Sequence, residues 1–190
     1  MNARFDLRMT KDEFLRWAAA PERRKIRCEW ARGRVIQMIN VTRWHSTIVI
    51  NFILALGPRL DRTAWQIHGL EFGVEDEDYL RYPDILIEPA GGPGNERRSA
   101  RPAIIIEVLS ASTSKTDFVD KLAEYTSIPS LEAYIIASQE EVVCWLWERG
   151  EDGTFPARPV EIGGLDQSLA LRARGISLPL AELYRGTQAV

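Results

Sequence analysis

Tyr82-Pro83-Asp84-Ile85-Leu86-Ile87-Glu88 and Pro102-Ala103-Ile104-Ile105-Ile106-Glu107-Val108-Leu109 are the two stretches whose reading decides the fold. Both are rich in β-branched residues and bounded by turn material, so both are expected to be strands. Between them, AGGPGNERRSAR has the composition of a mobile loop. A hairpin folded symmetrically about that loop sets Asp84 across from Glu107 and Glu88 across from Ala103. Directly opposed residues of an antiparallel pair have Cβ atoms about 4.5 to 5.5 Å apart. Two carboxylates at that distance repel unless a cation or a shared proton intervenes. Glu107 also interrupts an isoleucine run of the kind buried on both sheet faces, where a charge is costly unless paired or metal-bound. A hard divalent ion, held by one or two carboxylates with waters and substrate phosphate, answers both costs. The plain alternative is a different register with one carboxylate in solvent at a strand end.

Working outward, Thr10 and Glu13 form a capping box that opens an amphipathic helix from Lys11 to about Ala19, ended before Pro21. Arg27 to Trp30 and Arg34 to Met38 flank Ala31-Arg32-Gly33 and form a hairpin. Apolar residues recur at helical spacing from Arg43 to about Leu56, where Gly57-Pro58 stops them. Short strands follow at Trp65 to Ile67 and Glu71 to Val74. Beyond Leu109 come a helix from Lys115 to about Tyr125, strands at Ala133 to Ala137 and Val142 to Trp147 as a hairpin, and short strands near Arg158 to Ile162 and Leu169 to Arg172. A brief helix follows Pro179.

A chain of 190 residues, 45% of them apolar, is sized for one core, so residues 1–190 are read as a single domain. The net charge of −3 excludes the uniformly basic surface of a strong non-specific nucleic-acid binder. Cys28 and Cys144 lack CxxC or nearby histidine spacing, so they are expected to be free thiols of a reducing compartment. The opening MNARFDLRMTKDEFLRW is charged throughout, and no stretch approaches the roughly 18 apolar residues of a membrane span. A cytoplasmic protein without a membrane partner is the expectation.

The order Tyr82-Pro83-Asp84, then Glu107-Val108-Leu109-Ser110, then Asp117 and Lys121 in the next helix resembles the restriction-endonuclease-like PD-(D/E)XK superfamily. More narrowly, it resembles a large bacterial family of endonucleases of unknown function. The likeness runs from Phe14 through Glu29-Trp30, Gly33 and His45 to Leu178-Pro179-Leu180. It implies an α/β fold with a central mixed β-sheet flanked by helices, Mg²⁺ or Mn²⁺ as cofactor and DNA as substrate. By the same resemblance Asp84 and Glu107 are catalytic metal ligands, the Val108 carbonyl is an additional ligand, and Glu29 matches an upstream acidic ligand. One departure matters: Leu109 stands where the superfamily pattern has a lysine that orients or deprotonates the attacking water. Lys121 matches the displaced lysine of the narrower family. Asp117 and Lys121 also stand at i and i+4 in acid-first order, a surface pair worth only about 0.2 to 0.5 kcal/mol. Both readings of Lys121 are open at this level.

Weaker candidates surround this set. Glu71 is a further carboxylate near the same sheet end, His45 opens the long helix as a phosphate contact or cap, and His68 has no partner pattern. Basic groups at Arg23-Arg24-Lys25-Arg27, Arg32-Arg34 and Arg97-Arg98-Arg101 could track a phosphate backbone or simply be solvated surface. Trp145 and Trp147 share one strand face, for base stacking or for core or dimer packing. The expected function is a Mg²⁺-dependent DNA endonuclease, with a homodimer as one way for so small a chain to embrace a duplex. The competing reading, favoured by Leu109 and the acidic charge, is a catalytically idle binding or oligomeric interaction module. A glycosidase carboxylate pair lacks an identifiable sugar-binding aromatic cleft.

Overall fold

The computed structural model describes residues 7–23, 27–38, 41–69, 71–109 and 115–187, with backbone alone for 115–118. The chain runs through α1 (Lys11–Ala19), β1 (Cys28–Ala31), β2 (Arg34–Gln37), α2 (Arg43–Leu56), β3 (Trp65–Gly69), β4 (Gly73–Glu75) and β5 (Tyr79–Arg81). It continues through β6 (Ile85–Pro89), β7 (Arg98–Ser99), β8 (Ile104–Leu109), α3 (Lys115–Thr126), β9 (Ala133–Ser138) and β10 (Val143–Glu148). The last elements are β11 (Val160–Gly163), β12 (Ser168–Leu171), β13 (Ile176–Pro179) and α4 (Leu180–Leu183).

Local chemistry accounts for the element ends. The Thr10 hydroxyl accepts from the Glu13 amide while the Glu13 carboxylate takes the Thr10 amide, so the capping box of α1 is complete. Between β1 and β2 the two turn residues, Arg32 and Gly33, both have positive φ (46° and 81°). That is the turn geometry whose twist matches a hairpin, and it is strained for arginine but not for glycine.

Six strands form a mixed sheet in the order β11-β10-β9-β8-β6-β3, and five form a second sheet, β2-β1-β5-β4-β7. The parallel pair in the first sheet is β8 and β9, joined through α3. Alternation along β8 distributes its side chains. Ile104, Ile106 and Val108 pack in a core with Ile48, Phe52 and Leu56 of α2. Ile105 faces the other way, into a core shared with Tyr125 of α3 and with Ala31, Val74 and Tyr79 of the second sheet. Each fully buried isoleucine contributes roughly 1.5 to 3 kcal/mol, so the isoleucine run holds the two layers to a common wall. Phe14 of α1 covers the far side of the second sheet with Trp30 and Leu80. Among the described residues no helix is long and apolar enough to cross a membrane.

Two expectations need correcting. The stretch from Tyr82 to Glu88 is not one strand: β5 ends at Arg81 in the five-stranded sheet, and β6 begins at Ile85 in the six-stranded one. Pro83 has no amide to give a ladder, and the Tyr82 amide donates instead to Glu29 Oε1 at 3.0 Å, so the chain changes sheets here. The loop before β8 also holds a short strand, β7, parallel to β4.

Candidate active site

β6 and β8 are antiparallel with Ile85 opposite Ile106, the register that loop symmetry implies, and one step outward Asp84 stands across from Glu107. Asp84 is buried, and its Oδ2 accepts the Val108 amide at 2.8 Å. His45 Nε2 lies 3.0 Å from the same oxygen. Glu107, also buried, takes Lys121 Nζ at 3.0 Å and the Tyr125 hydroxyl at 3.2 Å, both on Oε1. Asp84 Oδ1 and Glu107 Oε2 accept no hydrogen bond from the described residues. Each carboxylate therefore has one oxygen held by the protein and one unengaged.

A buried charge network backs this pair. Arg81, 1% exposed, donates through Nε and Nη2 to Glu124 at 2.8 and 3.2 Å and through Nη1 to Glu29 at 3.1 Å. Lys121 Nζ lies 3.6 Å from Glu29 Oε1, between Glu29 and Glu107. Burial alone would raise the Glu29 carboxyl, but Lys121 and Arg81 outweigh it and hold the group below the ordinary range. At Glu107 burial wins: the carboxyl is pushed up to about 7, with Lys121 opposing and the charges of Asp84 and Glu29 adding to the rise. Among the described residues, the acidic groups Glu29, Asp84, Glu107 and Glu124 outnumber the basic groups Arg81 and Lys121 that they meet.

A divalent cation would offset such an acidic excess. Among the described residues no group of three or more His, Cys, Asp or Glu side chains is placed to hold a metal ion. A two-carboxylate site suits Mg²⁺, which keeps several waters and shares its shell with substrate phosphates. Asp84 and Glu107 are the residues that would hold such an ion.

The other candidates fall in different places. Glu29 joins the cluster, with both oxygens already engaged by Tyr82 and Arg81. Leu109 is half-buried against the α3-side core, so an apolar contact occupies the position of the superfamily's lysine while Lys121 reaches Glu107 from α3. Glu71 is exposed, and His68 stacks on Phe72 with ring centroids 4.1 Å apart and lies 3.0 Å from Glu88. Arg98 pairs with Glu75, while Arg97 and Arg101 are exposed. Trp147 stacks on Tyr134 and Trp145 packs at the edge of the same core, so both serve packing. Arg24, Lys25 and Ser110 lie outside the described residues, as does the Asp117 side chain. Sequence reading missed Arg81, Glu124 and Tyr125. The signal was present in α3: Lys121, Glu124 and Tyr125 share one helical face at i, i+3 and i+4, polar where a core-facing stripe should be apolar.

A mixed sheet with helices on its faces, and an aspartate and glutamate meeting at one strand end, define a restriction-endonuclease-like protein of the PD-(D/E)XK superfamily. The chain belongs to the Uma2 family, described as "Putative restriction endonuclease", which it matches over residues 11–181. An uncharacterized protein of Synechocystis, slr1290, is 24% identical over 187 residues, covering 94% of this chain and 93% of the relative. A second Synechocystis protein, sll1609, also uncharacterized, is 26% identical over 117 residues, 58% of this chain and 66% of its own length. The fold recurs in a crystal structure described as "a putative nuclease belonging to DUF820" from Anabaena variabilis. The TM-score is 0.75 at 16% identity, over 93% of this chain and 97% of the other.

Proposed function

We propose that this protein is a Mg²⁺-dependent endonuclease that hydrolyses phosphodiester bonds of DNA at the Asp84–Glu107 site, with Mn²⁺ able to replace Mg²⁺. The observation that carries the reading is the pair of buried carboxylates, each with one oxygen to which no described residue donates, in a cluster whose described acidic groups outnumber its basic ones. Asp84 and Glu107 hold the cation, with the Val108 carbonyl as a further ligand. When bound, the ion polarises the scissile phosphate and offsets the charge that builds on it. Lys121 orients the attacking water and stabilises the developing phosphorane charge. Glu29, which accepts from Arg81 and the Tyr82 amide, anchors Lys121 and would support the cation as an upstream acidic ligand. DNA contact is local, through exposed arginines such as Arg97 and Arg101, because the net charge is −3. The protein works in the cytoplasm, and a homodimer would let two such sites address a duplex.

A second reading, a catalytically idle binding or interaction module, is favoured by Leu109 in place of the motif lysine. Cleavage of plasmid, linear and single-stranded DNA with Mg²⁺ and Mn²⁺ separates the two. Wild-type activity that disappears in Asp84→Ala and Glu107→Gln and drops in Lys121→Ala supports the nuclease. Equal silence of all four proteins together with no metal binding refutes it.

A further inference from the structure

His45 lies in the first turn of α2, which approaches the site from the sheet face opposite α3. Its own amide donates to the Thr42 hydroxyl that caps the helix, and that hydroxyl donates in turn to Gln139 Oε1 at 2.6 Å. The start of α2 is thereby pinned to the end of β9. The imidazole is buried, its side chain 5% exposed, and Nε2 sits 3.0 Å from Asp84 Oδ2. A carboxylate oxygen only accepts, so this contact is a hydrogen bond when Nε2 carries the proton. Nδ1 is buried with no hydrogen-bond partner among the described residues. The neutral tautomer protonated at Nε2 is therefore the one that buries no unanswered donor.

We propose that His45 is a positioning residue for the cation: with the Val108 amide it holds Asp84 Oδ2 from two directions, which dedicates Oδ1 to the metal. Two donors on one oxygen remove the carboxylate's freedom to rotate and so fix the direction of the remaining oxygen. Groups that orient a metal ligand in this way alter metal affinity about 10- to 100-fold when removed. The inference rests on the metal-dependent reading of the site.

Mn²⁺ affinity, read from the electron paramagnetic resonance of the free ion, tests it without reference to cleavage. His45→Ala is expected to weaken Mn²⁺ binding about 10- to 100-fold. His45→Gln, whose side-chain amide reaches about as far as Nε2, is expected to recover most of the loss. Mn²⁺ binding in His45→Ala equal to wild type overturns the role of His45 alone, as does a His45→Gln variant as weak as His45→Ala. Wild-type protein that binds no Mn²⁺ overturns the metal reading itself. Long-range ¹⁵N–¹H correlation of the wild-type imidazole supplies a check that needs no variant to fold. A proton on Nε2 with a bare Nδ1 is expected, and the opposite tautomer refutes the proposal.

Discussion

Glu107 couples the site's charge to the stability of the fold. Its carboxyl is pushed up to about 7 in the folded chain, against an ordinary value near 4.3 in an unfolded one. Between those two pH values the folded form binds the proton that the unfolded form has lost. The cation-free protein should therefore lose stability as pH rises through that window and level off above it. Glu29, held below the ordinary range, works with the opposite sign and only in more acidic solution. A cation needs the carboxylate and so competes with the proton. We expect saturating Mg²⁺ to raise the melting temperature more at pH 8 than at pH 6; an equal or reversed increment would refute the coupling. The meeting of Asp84 and Glu107 was legible at this scale because each charge stands in or beside a strongly apolar strand, whereas Lys121 entered only through the family resemblance. Arg81 and Glu124 were not, because each is an ordinary surface residue until the fold buries the other.

Among the elements, β5 and α3 carry the network that supports the site. Arg81 at the end of β5 is enclosed between Glu29 of β1 and Glu124 of α3. Removing one member of such a group strands the others as unpaired buried charges, which costs about 3 to 5 kcal/mol. Arg81→Met should lower unfolding free energy by that amount in denaturant titration, whereas a loss under about 1 kcal/mol would mean that the network contributes little. The long elements could be read from pattern alone: α2 has its start and end where apolar spacing and Gly57 set them, and β8 follows its isoleucines. The three-residue strand β5 and the two-residue β7 could not. So few residues show no period, and although β5 pairs with its neighbour β4, its other partner β1 and the partner of β7 lie far away in sequence. The sheet change at Tyr82–Asp84 was hidden for a related reason, since the Tyr82 amide is satisfied by a side chain 53 residues away.

On the scale of the whole molecule, the site lies where two sheets and two helices converge, with contributions from β1, α2, the β5–β6 connection, β8 and α3. Sequence pattern indicated strands and helices of an α/β chain and the family resemblance implied a mixed sheet, but neither told which strands would share a sheet, because that depends on pairings no local window contains. Loop symmetry was the exception: it set the register of β6 on β8 with no knowledge of the rest. The same loop, exposed from Gly91 to Arg97, divides the cluster. Glu29, His45, Arg81 and Asp84 precede it; Glu107, Lys121 and Glu124 follow. Exposed loop tips of small residues tolerate a break in the chain, so a protein opened between Gly91 and Gly92 and expressed as two pieces should reassemble. Mn²⁺ should bind the mixture and neither piece alone; tight binding by one piece would show that the opposing carboxylate is dispensable. Such a pair of fragments would behave as a coincidence detector, reporting through its metal that the two halves of the chain have met.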